Sequence, residues 1–291
     1  MKSLKVAVIG GGSSYTPELV NGFLARVDSF PITELWLMDI WQERLEIVGK
    51  FAQRMVQSAG TPFEVHLTGD QREAVTEANY VIIQLRVGWM QARREDEYLG
   101  LRHGLVGQET TGVGGMAKAL RTIPIVLNIA DDIRQFAPDA LLVNFTNPAG
   151  LVTEALSRHA PDVSSVGVCN VAITTKMHIL ESLAKQGIEG TPESSELDTL
   201  GLNHLSWHRG FQVDGEDVWP HVMNEFVSNI KSGEDDGWDI ATIESLQMMP
   251  NYYLEYFYYT VKKLAYQEKW PPSRAEQGME IAKRLLDQYA E

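Results

Sequence analysis

A single cysteine, Cys169, stands in the 291-residue chain. No internal disulfide can form, and a reducing cytoplasm is the expected compartment. Positive charge is also scarce: Lys and Arg number 25 against 39 Asp and Glu, a formal net charge of −14. So acidic a surface excludes a general nucleic-acid or anionic-membrane partner, whose phosphates need a positive face. A small anionic substrate is not excluded, because it needs only two or three local arginines. No apolar run approaches the roughly 20 residues of a membrane span. Residues 1–5 lead directly into a strand pattern, without the small-residue cleavage site of a signal peptide. Internal repeats and low-complexity segments are missing as well. What is present, 44% apolar and 22% charged residues, is the composition of a globular chain with a sizeable core.

Strand and helix patterns alternate over the first 190 residues. Strands are predicted at Leu4–Ile9, Glu34–Met38, Phe63–Leu67, Tyr80–Leu85, Ala140–Phe145 and Val163–Val168. Helices are predicted at Pro17–Ala25, Trp41–Ser58, Arg72–Ala78, Lys118–Phe136, from Gly150, and at Thr175–Lys185. Near-continuous apolar strands separated by helices imply a parallel sheet covered on both faces, an α/β doubly wound fold of Rossmann type. After Gly187 the character changes, with strands expected at Leu197–Leu202 and Phe211–Val213 and a polar loop at 231–237. Six aromatics crowd into Tyr252–Tyr259, and a final helix follows from Arg274. The expected division is a nucleotide-binding domain over 1–190 and the start of a second, α+β domain over 191–291.

The first strand runs into Gly10-Gly11-Gly12-Ser13-Ser14 and then a helix. Such a turn brings backbone close to a pyrophosphate, whose charge meets the helix N-terminus. Tyr15 replaces the third glycine of the usual fingerprint. Asp39, at the end of the next strand, is the expected partner of a ribose 2′-hydroxyl, which favours NAD over NADP. Three later strands also end in polar groups: Arg86 with Arg93 beyond it, Thr146-Asn147-Pro148, and Cys169-Asn170. In a parallel sheet these ends share one edge with the glycine turn, the edge where a bound cofactor lies.

Gly107-Gln108-Glu109-Thr110-Thr111-Gly112, Thr146-Asn147-Pro148, Gly167-Val168-Cys169-Asn170-Val171, Gly201-Leu202-Asn203-His204 and Tyr253-Leu254-Glu255-Tyr256-Phe257 occur in this order. Together they resemble the family-4 glycoside hydrolases, in particular the 6-phospho-β-glucosidase branch, over Lys5 to about Arg274. The resemblance implies a lactate/malate-dehydrogenase-like fold, NAD, a divalent metal (Mn2+ by family habit) and an unusual hydrolysis. The C3 hydroxyl of the sugar is oxidised, the acidified C2 proton is removed, and the aglycone is eliminated. Water then adds and C3 is reduced again, so that NAD is regenerated. The metal's role is that of a Lewis acid on the C2 and C3 oxygens.

By the same resemblance Cys169 and His204 are the metal ligands, and Tyr253 takes the C2 proton, with Tyr256 as the fallback. Gly10, Gly12, Ser13, Ser14, Asp39, Arg86 and Asn147 hold NAD. Asn147 and Asn170 bind sugar hydroxyls, and Asn170, which cannot donate a proton as an Asp would, points to the β-type reaction. Arg93 and Arg274 hold the 6-phosphate of a phosphorylated disaccharide or aryl glycoside. The plainer alternatives are a core cysteine for Cys169, a structural histidine for His204, a helix cap for Asn147 and a solvated charge run for Arg93-Arg94-Glu95-Asp96-Glu97. The family's habit is a homodimer or homotetramer, and its members run longer than this chain, so the second domain is expected to be incomplete. Two other functions compete: a malate- or lactate-type 2-hydroxy-acid dehydrogenase, and a non-catalytic NAD-binding remnant.

Overall fold

The structure, a computed structural model, describes residues 4–233 and 238–291. In the first part β1 (Lys5–Ile9), α1 (Thr16–Leu24), β2 (Glu34–Met38), α2 (Gln42–Ser58), β3 (Glu64–Thr68) and α3 (Gln71–Val75) form one half. The other half holds β4 (Tyr80–Ile83), α4 (Trp89–Arg102), α5 (Gly112–Phe136), β5 (Leu141–Asn144), α6 (Ala149–His159) and β6 (Ser165–Gly167). The strands pair in parallel in the order β3-β2-β1-β4-β5-β6. This is the doubly wound Rossmann order, with its crevice where the winding reverses between β1 and β4. All of β1 is buried, because a central parallel strand is covered on both faces. Alternation sends Ala7 and Ile9 into one core with Val81 and Ile83, and Val6 and Val8 into the other with Leu35 and Leu37.

The second part holds α7 (Val171–Lys185), β7 (Ser195–Leu202), β8 (Leu205–Val213), β9 (Glu216–Asp217), α8 (Trp219–Ser232), α9 (Ile240–Leu246), β10 (Met249–Pro250), α10 (Leu254–Tyr258) and α11 (Thr260–Gln267). Its antiparallel sheet is a β7–β8 hairpin flanked by β9 and β10. Phe211, Val213, Trp219, Ile243 and Leu254 belong to its core. The last helix is α12 (Arg274–Ala290).

By packing, the chain divides into Met1–Val168 with Gln267–Glu291, and Cys169–Tyr266. This packing division differs from the expected division near 190. Cys169 and α7 go with the antiparallel sheet, and α12 returns to the Rossmann unit. The reason for the return is visible in the contacts. Phe51 of α2 stacks on Tyr289 at 4.6 Å, Ala275 N donates to buried Glu97 of α4 at 2.9 Å, and Tyr98 donates to Glu276 at 3.2 Å. A capping box between Ser273 and Glu276 starts the helix.

Three further differences have local causes. Helix α5 begins at Gly112 instead of Lys118, because its glycines let it approach the preceding loop: a Cβ on Gly114 would lie 2.2 Å from the Gln108 carbonyl oxygen. Helix α4 was not predicted, since its charge run looks like solvated surface while Asp96 and Glu97 are in fact buried. The polar stretch at 231–237 is helix through Ser232, and 234–237 lie outside the described residues. Among the described helices α5 alone has the length and apolarity to cross a membrane. Its Val126, Ile129, Ala130 and Ile133 are enclosed in a Rossmann core, which accounts for that composition.

Candidate functional site

The glycine turn is built for close backbone approach. Gly10 has φ +96°, a region that suits glycine, and the Gly10 and Gly11 N–H groups both donate to Met38 O, at 2.9 and 2.7 Å. Gly12 N donates to Asp39 Oδ2 at 3.0 Å and Trp41 N to Oδ1 at 3.0 Å, so the Asp39 carboxylate is fixed beside the turn. Ser13 and Ser14 follow, half-buried. Tyr15 occupies the N-cap of α1 with its ring half exposed, so losing the third glycine crowds nothing. Sequence reasoning missed Arg44, whose Nε donates to Gly12 O at 2.6 Å, and Gln84, which braces Gly10 O at 3.2 Å and Thr16 Oγ1 at 2.8 Å. A Cβ on Gly11 would lie 2.8 Å from Leu37 Cβ and 2.9 Å from its Cα. Backbone of a central strand cannot yield cheaply, so Gly11→Ala is expected to destabilise the Rossmann unit by about 1–3 kcal/mol in thermal melts.

Arg86 and Arg93 meet at one buried carboxylate. Glu109 accepts from Arg86 Nη1 at 2.6 Å and Lys118 Nζ at 2.6 Å, and pairs with Arg93 Nη1 at 2.9 Å. Burial pushes the Glu109 pKa up, but Lys118, Arg86 and Arg93 outweigh it and hold the group at about 2. Burial lowers Lys118 to about 8 against the opposing pull of Glu109. Arg93 also donates to Glu97 Oε1 at 2.8 Å. It therefore stands in a buried ion-pair network and not on a solvated charge run. Arg274 is exposed, and its recorded hydrogen bond is to Gln277 at 3.2 Å. Glu97 links its neighbourhood to Arg93, since its second oxygen accepts from Ala275. Asn147 precedes the N-cap of α6, which is Pro148, so the cap alternative does not hold.

In the Cys169–Tyr266 unit three residues assigned to chemistry come together. Cys169 Sγ lies 3.4 Å from His204 Nε2, and the His204 ring stacks on Tyr253 with centroids 3.7 Å apart and planes 2° apart. The hairpin explains the placement. Asn203-His204 is the two-residue turn between β7 and β8, and its second position is left-handed, as in a type II turn. His204 occupies it at φ +66°, a region His enters more readily than bulkier residues. Gly201, at φ +115°, passes so near Leu205 O that a Cβ there would lie 2.3 Å from it. Asn251 ties the tyrosines to the hairpin: its N–H donates to Ser206 O at 2.9 Å, and its Oδ1 accepts from Tyr253 N at 3.0 Å. Burial lowers the pKa of His204, which favours the neutral, ligating imidazole. Tyr252 is pushed upward by burial and by its hydrogen bond with Tyr253. Asn170 is the exposed N-cap residue of α7, with no side-chain cap bond.

A thiolate and an imidazole form a fitting donor pair for a divalent transition metal. Bonds of about 2.3 and 2.05 Å at 90–109° put sulfur and nitrogen about 3.1–3.6 Å apart, which brackets the separation of 3.4 Å. Among the described residues no group of three or more His, Cys, Asp and Glu could hold a metal. Cys169 and His204 would therefore leave coordination positions for other ligands.

Family models described as "Family 4 glycosyl hydrolase" and "Family 4 glycosyl hydrolase C-terminal domain" match residues 5–185 and 199–291. A probable 6-phospho-beta-glucosidase of Bacillus subtilis is 42% identical over 99% of this chain and 66% of its own length. The chain therefore spans about two thirds of that relative. The 6-phospho-beta glucosidase of Thermotoga maritima, solved with NAD and glucose-6-phosphate, has a TM-score of 0.90 and 37% identity over 100% of this chain and 67% of its own. Its form with manganese, NAD+ and glucose-6-phosphate gives 0.89 and 38% over 99% and 67%.

Proposed function

Because the chain belongs to the family 4 glycosyl hydrolases, we propose that it hydrolyses 6-phospho-β-glucosides to glucose 6-phosphate and the free aglycone through an NAD-dependent oxidation, elimination, addition and reduction. The observation that carries the reading is the Cys169–His204 pair with Tyr253 stacked against it. When bound, NAD accepts and returns the C3 hydride, and a divalent cation such as Mn2+ polarises the C2 and C3 oxygens.

Cys169 and His204 would hold the cation, which would act there as a Lewis acid on the sugar oxygens. Tyr253 accepts the C2 proton. Tyr252 is the poorer base, since its phenol is held above the ordinary range by burial and by Tyr253. Asn170, exposed at the start of α7, donates to a sugar hydroxyl and has no proton to give the leaving group. The Gly10–Ser14 turn takes the pyrophosphate and Asp39 the ribose diol, while Arg86 and Asn147 line the nicotinamide half. The fit is supported by the left-handed Gly10, by the close backing of Gly11, and by an Asp39 carboxylate aligned by two N–H groups. Arg93 and Arg274 hold the 6-phosphate, with Asn147 and Asn170 on hydroxyls. A free thiol ligand and a phosphorylated substrate suit a cytoplasmic protein, and a homodimer or homotetramer is the assembly proposed.

A chromogenic 6-phospho-β-glucoside, assayed under reducing conditions, should turn over only with both NAD and manganese, lose activity with EDTA, and leave no net NADH. A C2-deuterated substrate should lose its label to solvent. Retention of all the deuterium in product sinks the elimination mechanism, and net NADH formed from a 2-hydroxy acid would favour the dehydrogenase reading instead.

A further inference from the structure

Two tryptophans at the ends of neighbouring elements are left unexplained by packing. Trp41 follows β2 and caps α2, and Trp89 is the first residue of α4 after β4. Their ring centroids are 4.9 Å apart at 52°, yet the residues remain 38% and 47% exposed. Ile40 beside them is 74% exposed. Large aromatic rings gain stability by leaving water, and these have only partly done so. Trp89 also sits at φ +55°, an outlier for a bulky side chain that persists only where its surroundings impose it. Gly88 before it is at φ +77°, so a left-handed pair of residues aims the ring at Trp41. Behind Trp41, the Arg44 guanidinium lies 5.9 Å from the ring centroid while its Nε holds the Gly12 carbonyl.

The location gives the pair a ligand. β2 and β4 flank β1 on either side, and the adenosine half of a dinucleotide lies beyond their carboxyl ends. Trp41 N is hydrogen-bonded to Asp39, the carboxylate assigned to the adenosine ribose. A flat purine attached to that ribose comes within reach of both rings, and a base stacked on an aromatic face is a common, sequence-tolerant contact. We infer that Trp41 and Trp89 form the stacking platform for the adenine ring of the cofactor, so that they set affinity for its adenosine half. The inference rests on the NAD-dependent reading above. It assigns the two tryptophans no role in proton or hydride transfer.

The test uses ADP-ribose, which carries the adenosine and pyrophosphate but no nicotinamide, titrated calorimetrically into the whole chain. Trp41→Ala and Trp89→Ala should each raise its Kd roughly tenfold, with Trp89→Phe restoring most of the loss because a ring is kept. Part of the intrinsic fluorescence quenching by ADP-ribose should disappear in the Trp41→Phe/Trp89→Phe double variant. Melting temperatures measured on the same variants separate lost stacking from lost folding, because a variant that stays folded at the titration temperature reports on binding alone. Alanine variants that bind ADP-ribose within about twofold of wild type would overturn the platform and leave the glycosidase reading intact. A wild-type chain that fails to bind ADP-ribose would overturn both.

Discussion

Cys169→Ser and His204→Ala are each expected to lower hydrolysis of a 6-phospho-β-glucoside by about 10^3-fold or more, while NAD binding is retained. The size follows from the assigned role. A cation that stabilises the charge developing on two sugar oxygens contributes several kcal/mol to the transition state, and each 1.36 kcal/mol is about tenfold in rate. In the proposed site, removal of either donor leaves the other alone, and the cation is expected to be lost as well as misplaced. Independence from NAD binding follows from the chain's division: Cys169 and His204 lie in the Cys169–Tyr266 unit, whereas the glycine turn and Asp39 lie in the other. Titration of NAD and Mn2+ into each variant, beside steady-state kinetics, reads the two effects separately. Excess Mn2+ should recover part of the His204→Ala activity, because mass action offsets weakened binding. Wild-type, EDTA-sensitive turnover by Cys169→Ser would remove Cys169 from the metal site.

The Rossmann half was legible because its signals are local. Five or six apolar residues in a run make a parallel strand, and each run here was followed by a helix pattern. The turn Gly10-Gly11-Gly12 and Asp39 were legible for the same reason, since they lie at the junctions of those runs. Arg44 was not, because nothing in a helix's first turn announces that its guanidinium folds back on the Gly12 carbonyl. The packing division departs from the expected boundary on non-local grounds. Cys169 lies two residues past β6, and packing of α7 against its own hairpin assigns it to the other unit, just as contacts such as Glu97–Ala275 and Phe51–Tyr289 return α12 to the first. The meeting of Cys169 and His204 was legible through family motifs alone. Cys169 and His204 are separated by a helix and a strand, and no spacing rule joins them. The solvated-surface alternative for Arg93 fails on non-local grounds too. Asp96 and Glu97 of its charge run are buried and are met by Arg121 and Ala275, both distant in sequence.

That buried network carries the second large effect. Glu109→Gln is expected to destabilise the Rossmann unit by about 3–5 kcal/mol at pH 7, the range for breaking a buried pair by removing one partner. Glutamine keeps the shape but removes the charge that Arg86, Arg93 and Lys118 share. Lys118, 2% exposed, suffers most, because burial already lowers its pKa and Glu109 opposes that shift. The folded Glu109 titrates at about 2 against an ordinary value of 4.5. Between those values the unfolded chain binds the proton and the folded chain does not, so wild-type stability from this group is complete above the ordinary value and lost as pH falls toward 2. The gap between wild type and Glu109→Gln in chemical denaturation should therefore narrow steadily across that window, and a gap that stays constant there would refute the ionised assignment. Replacing both partners, as Glu109→Gln with Lys118→Met, should recover part of the loss, because the orphaned buried cation is removed along with its acid. A double variant less stable than Glu109→Gln alone would show instead that Lys118 is held by contacts other than this carboxylate.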